Sequence, residues 1–221
     1  MSPLQFLQQS PLHARVAPFV FFVLLTACQG LLGESSRYWI YALKTALGAW
    51  MVWSVRPVVA ELRWSFSGEA VFVGVAVFAV WVGLDSLYPK LGPAGKPWNP
   101  NAEFGEGSAL AVAVIATRLI GSSIIVPPIE EMFYRSFLYR YVLNPDFTKV
   151  SLSVKNWRAW IITSAIFGFA HGEWLPGILC GFAYQWLVLR KGRLGDALFA
   201  HAITNLLLGG WVVWKGAWNF W

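Results

Sequence analysis

Long apolar stretches, separated by short polar segments, are the feature of this 221-residue sequence that most restricts its fold. A helix needs about 20 apolar residues to cross ~30 Å of hydrocarbon, and the chain offers several such stretches. Hydrophobic residues make up 57% of the chain and charged residues only 13%, whereas soluble domains carry roughly 25% charged residues. We therefore predict an all-α fold, a polytopic membrane helical bundle of about seven to eight transmembrane helices.

Clusters of Pro, Gly and polar residues mark the ends of the apolar stretches. The predicted helices cover residues 16–32, 38–56, 68–87, 108–126, 128–143, 157–171, 174–190 and 195–215. We predict that residues 1–15 form an interfacial tail and that the Pro-rich residues 88–107 form an extended surface loop. Residues 1–221 then form a single integral membrane domain whose surroundings are the lipid bilayer.

Lys and Arg are distributed unevenly between the two sides that these helices define. With the amino terminus inside and residues 108–143 as one kinked crossing, there are seven crossings, and the inside segments hold ten of the seventeen Lys and Arg residues. Those ten are Arg15, Arg56, Arg63, Arg140, Lys149, Lys155, Arg158, Arg190, Lys191 and Arg193. The four outside are Arg37, Lys90, Lys96 and Lys215. Because cytoplasmic loops are enriched in Lys and Arg, we predict a cytoplasmic amino terminus in a prokaryotic plasma membrane.

The net charge of +6 has the same explanation. In a soluble protein such a charge favours a nucleic-acid partner, but here the basic residues lie between apolar stretches, where they face anionic lipid. We therefore predict no nucleic-acid partner.

Three short polar motifs interrupt the apolar stretches in the second half of the chain. They are Glu130-Glu131-Met132-Phe133-Tyr134-Arg135, Phe167-Gly168-Phe169-Ala170-His171 and His201-Ala202-Ile203-Thr204-Asn205. Ionisable residues are costly inside a bilayer and usually face a protein interior or a wet cavity. We therefore predict that the three motifs share one functional site.

A proline pair, Pro127-Pro128, stands directly before the acidic motif. Proline removes a backbone donor and clashes with the preceding turn, so we predict that the helix kinks or breaks here and a new one begins at Pro128. Glu130 and Glu131 then occupy its first turn, where the helix dipole stabilises an exposed carboxylate by about 0.3–1 kcal/mol. The sequence thus predicts an ionised acid at membrane depth.

The spacing within the acidic motif separates the two glutamates. Residues four apart share a helix face, so Glu131 is predicted to pair with Arg135. Glu130 is rotated by about 100° from that face and is free to act on another group.

Together the three motifs suit the hydrolysis of an amide by water. A carboxylate beside an imidazole takes a proton from water, and an imidazole beside an amide donates hydrogen bonds to an oxyanion. Glu130 with His171 fits the first role. His201 with Asn205, which share a helix face, fits the second.

The motifs EExxxR, FxxxH and HxxxN, in this order, resemble the CPBP family, which comprises CAAX-type prenyl endopeptidases and bacteriocin-processing or immunity proteases. The resemblance covers about residues 125–210, which would be the catalytic core. The segment RYWIYALKT, beginning at Arg37, also resembles CAAX-protease-related proteins that occur with exosortase sorting systems. The resemblance implies a hydrolase, an all-helical intramembrane endopeptidase that cuts a peptide or the C-terminal tail of a membrane-associated protein.

In that family the first Glu and the first His activate water, and the second His with its Asn binds the oxyanion. The catalytic residues implied here are Glu130, His171, His201 and Asn205. Glu131 and Arg135 would support them. Ser136 departs from the family pattern, which commonly has Gly after the Arg, and this affects the expected helix packing. We expect the cavity to open to the cytoplasmic side, and the mechanism needs no cofactor.

Other functions compete with this prediction. A zinc protease could use Glu130, His171 and His201 as three ligands with an open fourth position, although the chain has no HExxH spacing. A non-catalytic membrane scaffold or immunity protein would bind a partner peptide, but every key motif position is filled. A transporter could use the same residues as a proton relay, but the chain has no recognisable inverted repeat.

Some polar and aromatic residues fall outside the motifs. We expect Lys44 to extend to an interface, whereas Arg118 lies deeper and needs a partner that the sequence does not identify. The segment ending at Cys28 resembles a lipoprotein cleavage box, but we expect a retained transmembrane helix rather than lipidation. The Trp residues near the carboxyl end are expected to form an interfacial belt, and they are Trp211, Trp214, Trp218 and Trp221.

Overall fold

The computed structural model describes residues 2–92 and 96–221. Helices account for 72% of the structure, and these described ranges contain no strand, which confirms the all-α prediction. The helices, in chain order, are α1 (Pro3–Gln8), α2 (Pro11–Ala27), α3 (Ser36–Val55), α4 (Gly68–Gly83), α5 (Pro100–Phe104), α6 (Ala109–Leu143), α7 (Trp157–Phe169), α8 (Trp174–Lys191) and α9 (Gly195–Lys215).

The seven longer helices, α2, α3, α4 and α6 to α9, run between two faces. The amino-terminal face carries α1 and residues 56–67, 144–156 and 192–194, and contacts such as Ser67 to Asp196 join its segments. The carboxy-terminal face carries residues 28–35, 84–92, 96–108, 170–173 and 216–221, joined for example by Leu91 to Gly172. Each of the seven helices therefore begins at one face and ends at the other.

The outward surfaces of these helices are strongly apolar. Phe72 in α4 is 74% exposed, and Trp53 in α3 is 71% exposed. Ala109–Leu143 and Gly195–Lys215 are long and apolar enough to span a bilayer by length and composition, and Pro11–Ala27 and Gly68–Gly83 are shorter apolar helices. Large exposed apolar surfaces mark contact with a membrane or partner, so the helices indicate a membrane protein.

The prediction for the amino terminus was wrong. Residues 1–15 were expected to form a tail, and the first helix was expected at 16–32. Instead Ser2 caps α1 and Ser10 caps α2, each by accepting a hydrogen bond from a backbone N–H in the first turn. Proline follows both serines at the first helical position, where its missing N–H costs nothing. The polar and proline residues are therefore start signals of helices, and α2 begins at Pro11 and ends at Ala27.

A kink or a break was predicted at Pro127-Pro128, and the break with a new helix starting at Pro128 was wrong. Helix α6 continues through both prolines, because the backbone widens into a π-helical segment, Gly121–Ile125, directly before them. A second π-helical segment, Met132–Leu138, follows the acidic pair. A π-helical turn contains one residue more per hydrogen-bonded turn than an α-helix and so rotates the side chains that follow it. Such turns are frequent at functional sites. The two glutamates therefore lie in the middle of a long helix and not at the dipole of a helix start.

The long connection between α4 and α6 is more ordered than the predicted loop 88–107. Asn99 caps the short helix α5, and its side chain accepts from the backbone N–H groups of Asn101 and Ala102. Trp98 is buried against Tyr38 of α3, with ring centres 4.7 Å apart. Residues 93–95 of this connection, including the predicted loop residue Pro93, lie outside the described residues.

An ion cluster holds the helix ends together at the amino-terminal face. Glu61 accepts hydrogen bonds from Arg15 of α2 at 2.7 Å and from Arg140 of α6 at 2.9 Å. Burial raises the pKa of Glu61, but the charge of Arg15 and the hydrogen bond from Ser136 outweigh it, so the pKa lies below its ordinary value. Ser136, the departure from the family pattern, is fully buried, and its hydroxyl joins this cluster.

Candidate active site

One cavity of about 560 Å³ lies inside the bundle, in the half nearer the carboxy-terminal face. The four predicted catalytic side chains all line it, and they are Glu130, His171, His201 and Asn205. Helices α6 and α9 contribute three of them, and the turn that follows α7 contributes His171. Its volume lies in the range of about 300–1,000 Å³ that is usual for ligand pockets.

The two glutamates of α6 have different surroundings. Glu131 is fully buried, and its Oε2 lies 3.1 Å from Nε of Arg135, as the spacing of four residues predicts. Glu130 lines the cavity with its side chain 14% exposed, and its Oε2 has no hydrogen-bond partner among the described residues. Glu130 is thus the carboxylate that a molecule in the cavity reaches.

The second histidine connects both glutamates. His201 Nδ1 lies 2.9 Å from Oε1 of Glu131, and its Nε2 lies 3.9 Å from Oε2 of Glu130. Glu131 is therefore more than the partner of Arg135, because it also orients the imidazole. The ring of Tyr184 on α8 stacks on His201 with ring centres 5.1 Å apart and fixes its plane.

The first histidine stands apart from this group. His171 Nδ1 lies 2.7 Å from the carbonyl oxygen of Phe167, so Nδ1–H donates to it and Nε2 is left for the cavity. The ring packs edge-to-face on Trp81, with ring centres 5.8 Å apart. Among the described residues no carboxylate oxygen lies within 4.0 Å of a ring nitrogen of His171, so His171 and Glu130 line one cavity without forming an ion pair.

Asn205 is held by the backbone of α6. Its Nδ2 donates to the carbonyl oxygen of Ser122 at 2.7 Å. In the π-helical register, in which Val126 N–H bonds the carbonyl of Gly121, the carbonyl of Ser122 would accept from residue 127. That residue is Pro127 and has no N–H, so the carbonyl is free for Asn205. The proline pair therefore positions the amide of a different helix.

Close helix packing fixes the two histidines. A Cβ on Gly168, within the FxxxH motif of α7, would lie 2.6 Å from the backbone nitrogen of Ile178 in α8. A Cβ on Gly74 of α4 would lie 2.7 Å from the carbonyl oxygen of Ala200, next to His201. Both glycines allow the backbones to approach more closely than a side chain permits.

Two residues that sequence reasoning missed complete the site. Tyr184 donates a hydrogen bond to Thr204 Oγ1 at 2.7 Å, and Thr204 donates to the carbonyl of Gly74 at 2.9 Å. This chain joins α8, α9 and α4 around His201. Thr204 lies inside the HxxxN motif, so its position was a usable signal. Tyr184 has no such spacing signal.

The two basic residues left unassigned also line the cavity. Lys44 was expected to extend to an interface, and this was wrong, since it is only 5% exposed and donates to Thr26 at 2.8 Å and Gln29 at 3.2 Å. The partners of Arg118 are aromatic rings. Trp221 is one of them and is therefore not solely part of an interfacial belt.

The cavity leads toward the carboxy-terminal face. A second cavity of about 420 Å³ adjoins it, and Arg118 and Trp221 line both. The other lining residues of this second cavity lie at or near that face, for example Gln29, Arg37 and Lys96. The predicted cytoplasmic amino terminus would put this face outside, so that prediction and the predicted cytoplasmic opening of the cavity are incompatible.

The predicted zinc ligands do not form a compact donor set. Across residues 2–92 and 96–221, no group of three or more His, Cys, Asp or Glu side chains is arranged to hold a metal ion. Nδ1 of His201 is already bonded to Glu131. Cys180 is buried in α8 and Cys28 is exposed after α2, and both are free thiols.

Comparison with known proteins identifies the region that contains the site. Residues 107–207 match the family model described as type II CAAX prenyl endopeptidase Rce1-like. No curated protein and no solved structure matches the chain. The matched range contains all three polar motifs, and it confirms the resemblance to the CPBP family. Over residues 107–207 the chain is thus similar to the Rce1-like type II CAAX prenyl endopeptidases.

Proposed function

We propose that the chain is an intramembrane endopeptidase of the glutamate type, in which Glu130 activates a water molecule that attacks a peptide bond. The family match supports an intramembrane endopeptidase in general. The single observation that carries the finer proposal is that one cavity collects Glu130, His171, His201 and Asn205 from α6, α9 and the turn after α7.

The first step is the activation of water. Glu130 is the glutamate of the acidic motif that lines the cavity, and its carboxylate accepts a proton from water. His171 holds the same water from the other side through Nε2, because Nδ1 is occupied by Phe167. The proton then passes from Glu130 to the leaving amine.

The second step is stabilisation of the tetrahedral oxyanion. Asn205 is fixed by Ser122 through one N–H, so its second N–H donates to the oxyanion. His201 supplies the second donor to the oxyanion, and Glu131 holds its ring through Nδ1. Such preorganised donors stabilise developing charge without having to reorient.

The amide of Asn205 gives a test of this step. We expect Asn205→Ala to lower kcat by about 10²–10³-fold, the usual loss for one oxyanion donor, with a smaller change in KM. Steady-state kinetics on a cleaved peptide measures both constants. An Asn205→Ala protein that is correctly folded and keeps the wild-type kcat would contradict the oxyanion role.

We further propose that catalysis needs no tightly held metal. A side-chain amide is not among the usual zinc ligands, and Glu131 already occupies one nitrogen of His201. Dialysis of purified protein against a strong chelator is expected to leave activity unchanged, and elemental analysis is expected to find no stoichiometric zinc. Near-stoichiometric zinc whose removal and return switch activity off and on would favour the zinc protease.

For the membrane topology we propose seven crossings, made by α2, α3, α4 and α6 to α9, with a cytoplasmic amino terminus in a prokaryotic plasma membrane. The ten-to-four distribution of Lys and Arg supports this orientation. The cavity then opens to the extracytoplasmic side. Prenylated tails, bacteriocin leaders and sorting-signal proteins are all compatible with the catalytic groups, and this opening favours substrates that are exposed outside the cytoplasm.

Single cysteines test the orientation. In a background with Cys28→Ser and Cys180→Ala, a membrane-impermeant maleimide added to intact cells should label Lys96→Cys but not Lys155→Cys. Both positions are exposed, and they lie on opposite faces. Permeabilised cells provide the control in which both are labelled. Labelling of position 155 alone in intact cells would reverse the orientation.

A further inference from the structure

Two cations share one aromatic ring in the wall of the catalytic cavity. Nζ of Lys44 lies 4.8 Å from the ring centre of Tyr41, and Cζ of Arg118 lies 4.9 Å from it. Both side chains line the cavity that contains the catalytic groups. Arg118 precedes Ser122 by four residues, and the carbonyl of Ser122 holds Asn205. The cationic pair therefore adjoins the oxyanion side of the site.

No carboxylate forms a direct ion pair with either of these two side chains in the described part of the chain. Among the described residues, no Asp or Glu oxygen lies within 4.0 Å of the charged nitrogens of either side chain. Lys44 donates only to the neutral oxygens of Thr26 and Gln29. Like charges that are buried close together are unfavourable, and buried charges are usually paired. The remaining nitrogen hydrogens therefore suit an anion.

The aromatic surroundings hold Arg118 ready for such an anion. Its Cζ lies 4.4 Å from the ring centre of Trp98 and 5.2 Å from that of Trp221. Ring faces attract a guanidinium but offer it no hydrogen-bond acceptor. The guanidinium has five N–H donors in a planar fork that matches a carboxylate, and within the described chain none donates to a protein acceptor.

We propose that Lys44 and Arg118 form an anion-binding subsite of the catalytic cavity, which binds a carboxylate of the peptide substrate near the bond that is cut. The proposal rests on the proposed function, because it assigns a part of the same cavity to substrate recognition. The carboxylate is supplied either by the carboxyl terminus of the substrate or by an acidic side chain close to the cleavage site. The chemistry of recognition is the same for both.

The test uses one peptide that the purified wild-type protein cleaves, prepared in three forms. The first has a free carboxyl terminus, the second has an amidated terminus, and the third has an amidated terminus with Asp as its last residue. Wild type is expected to prefer at least one carboxylate form over the plain amide by about 10- to 100-fold in kcat/KM, the range expected for a hydrogen bond to a charged group. Preference for the free terminus identifies the first source, and preference for Asp the second. In Lys44→Met and in Arg118→Met, the ratio of kcat/KM for the carboxylate peptide to that for the plain amide should fall toward one.

Matched variants separate recognition from folding. Lys44→Arg keeps the charge and should keep the preference. Lys215→Met removes a cation that stacks on Trp214 away from the cavity and should also keep it. The readout is a ratio between peptides, so loss of active protein does not change it. Equal cleavage of all three peptides by wild type, or an undiminished preference in both Met variants, would overturn the subsite.

A binding measurement distinguishes failure of the subsite from failure of the proposed function. If wild type cuts no peptide, the endopeptidase proposal fails, but binding of the same peptides still reports on the subsite. Tryptophan fluorescence is suited to this, because Trp98 and Trp221 contact Arg118. A carboxylate peptide that binds about tenfold tighter than its amide in wild type, but not in Lys44→Met, supports the subsite. Equal binding of acid and amide overturns it.

Discussion

Replacement of Glu130 by Gln is expected to lower kcat by about 10²–10⁴-fold, the contribution typical of a general base, while the protein remains folded. The amide is isosteric with the carboxylate but does not accept a proton from water. The fold should tolerate the change, because Glu130 lines the cavity, and its Oε2 has no hydrogen-bond partner in the described part of the chain. Kinetics, together with a thermal unfolding curve, measures both parts of the prediction.

Glu173 offers a matched control for this variant. Its carboxylate lines the same cavity but lies near the carboxy-terminal face, 4.0 Å from Lys90. Glu173→Gln should retain most of its activity, since the carboxylate takes no part in the proposed chemistry. A folded Glu130→Gln protein with wild-type turnover, or an equal loss in Glu173→Gln, would remove Glu130 from its proposed role.

The second large effect is expected on stability. Glu131→Gln leaves the guanidinium of Arg135 buried without its charged partner, and Arg135→Met leaves the carboxylate likewise. Breaking a buried pair by removing one member costs about 3–5 kcal/mol, and both side chains here are almost completely buried, at 0% and 2% exposure. For a chain of this size we expect the Tm to fall by roughly 6–20 °C.

Two further proteins make this expectation specific. The double variant Glu131→Gln with Arg135→Met removes both charges and should recover part of the lost stability. Its activity should stay low, because His201 then lacks the carboxylate that orients it. Lys149→Gln, which breaks the exposed pair with Asp146, should leave the Tm close to that of wild type. Single variants at 131 and 135 that unfold at the wild-type temperature would contradict the buried pair.

The residues that line the site were predictable from the sequence, because their spacing within each motif decides which of them share a helix face. Helical periodicity paired Glu131 with Arg135 and left Glu130 free, and the structure has both arrangements. Each histidine of the motifs lies in an apolar stretch that was predicted to span the membrane, and ionisable residues there are usually functional. The catalytic roles of the four side chains are predictions that the kinetic measurements test.

The connections within the site were not predictable, because they depend on contacts between helices. The bond between Glu131 and His201 joins residues 70 positions apart, and the stacking of Tyr184 depends on the rotation of α8. Proline was read as a helix breaker, but the π-helical turn accommodates it and frees the carbonyl of Ser122. Likewise, Lys44 is long enough to reach an interface, and only the packing of α2 against α3 shows that it turns inward.

The amino-terminal error has a local cause. The polar residues and prolines at positions 1–15 gave a composition typical of a tail. Ser-Pro at 2–3 and at 10–11 is nevertheless a strong start signal for a helix. Arg15 was counted as a loop charge, whereas it is buried at the base of α2 and bonded to Glu61. Because Arg140 of α6 also donates to Glu61, this contact links α2 to α6, the helix that contains both glutamates.

Digestion of a peptide library tests the central claim most directly. Purified wild-type protein and Glu130→Gln are incubated with the library in detergent, with and without a strong chelator, and new peptide termini are identified by mass spectrometry. We predict that wild type produces a defined set of new termini, that the chelator does not change this set, and that Glu130→Gln produces none of it. No cleavage by wild type, or the same termini from both proteins, would contradict hydrolysis by the Glu130 cavity.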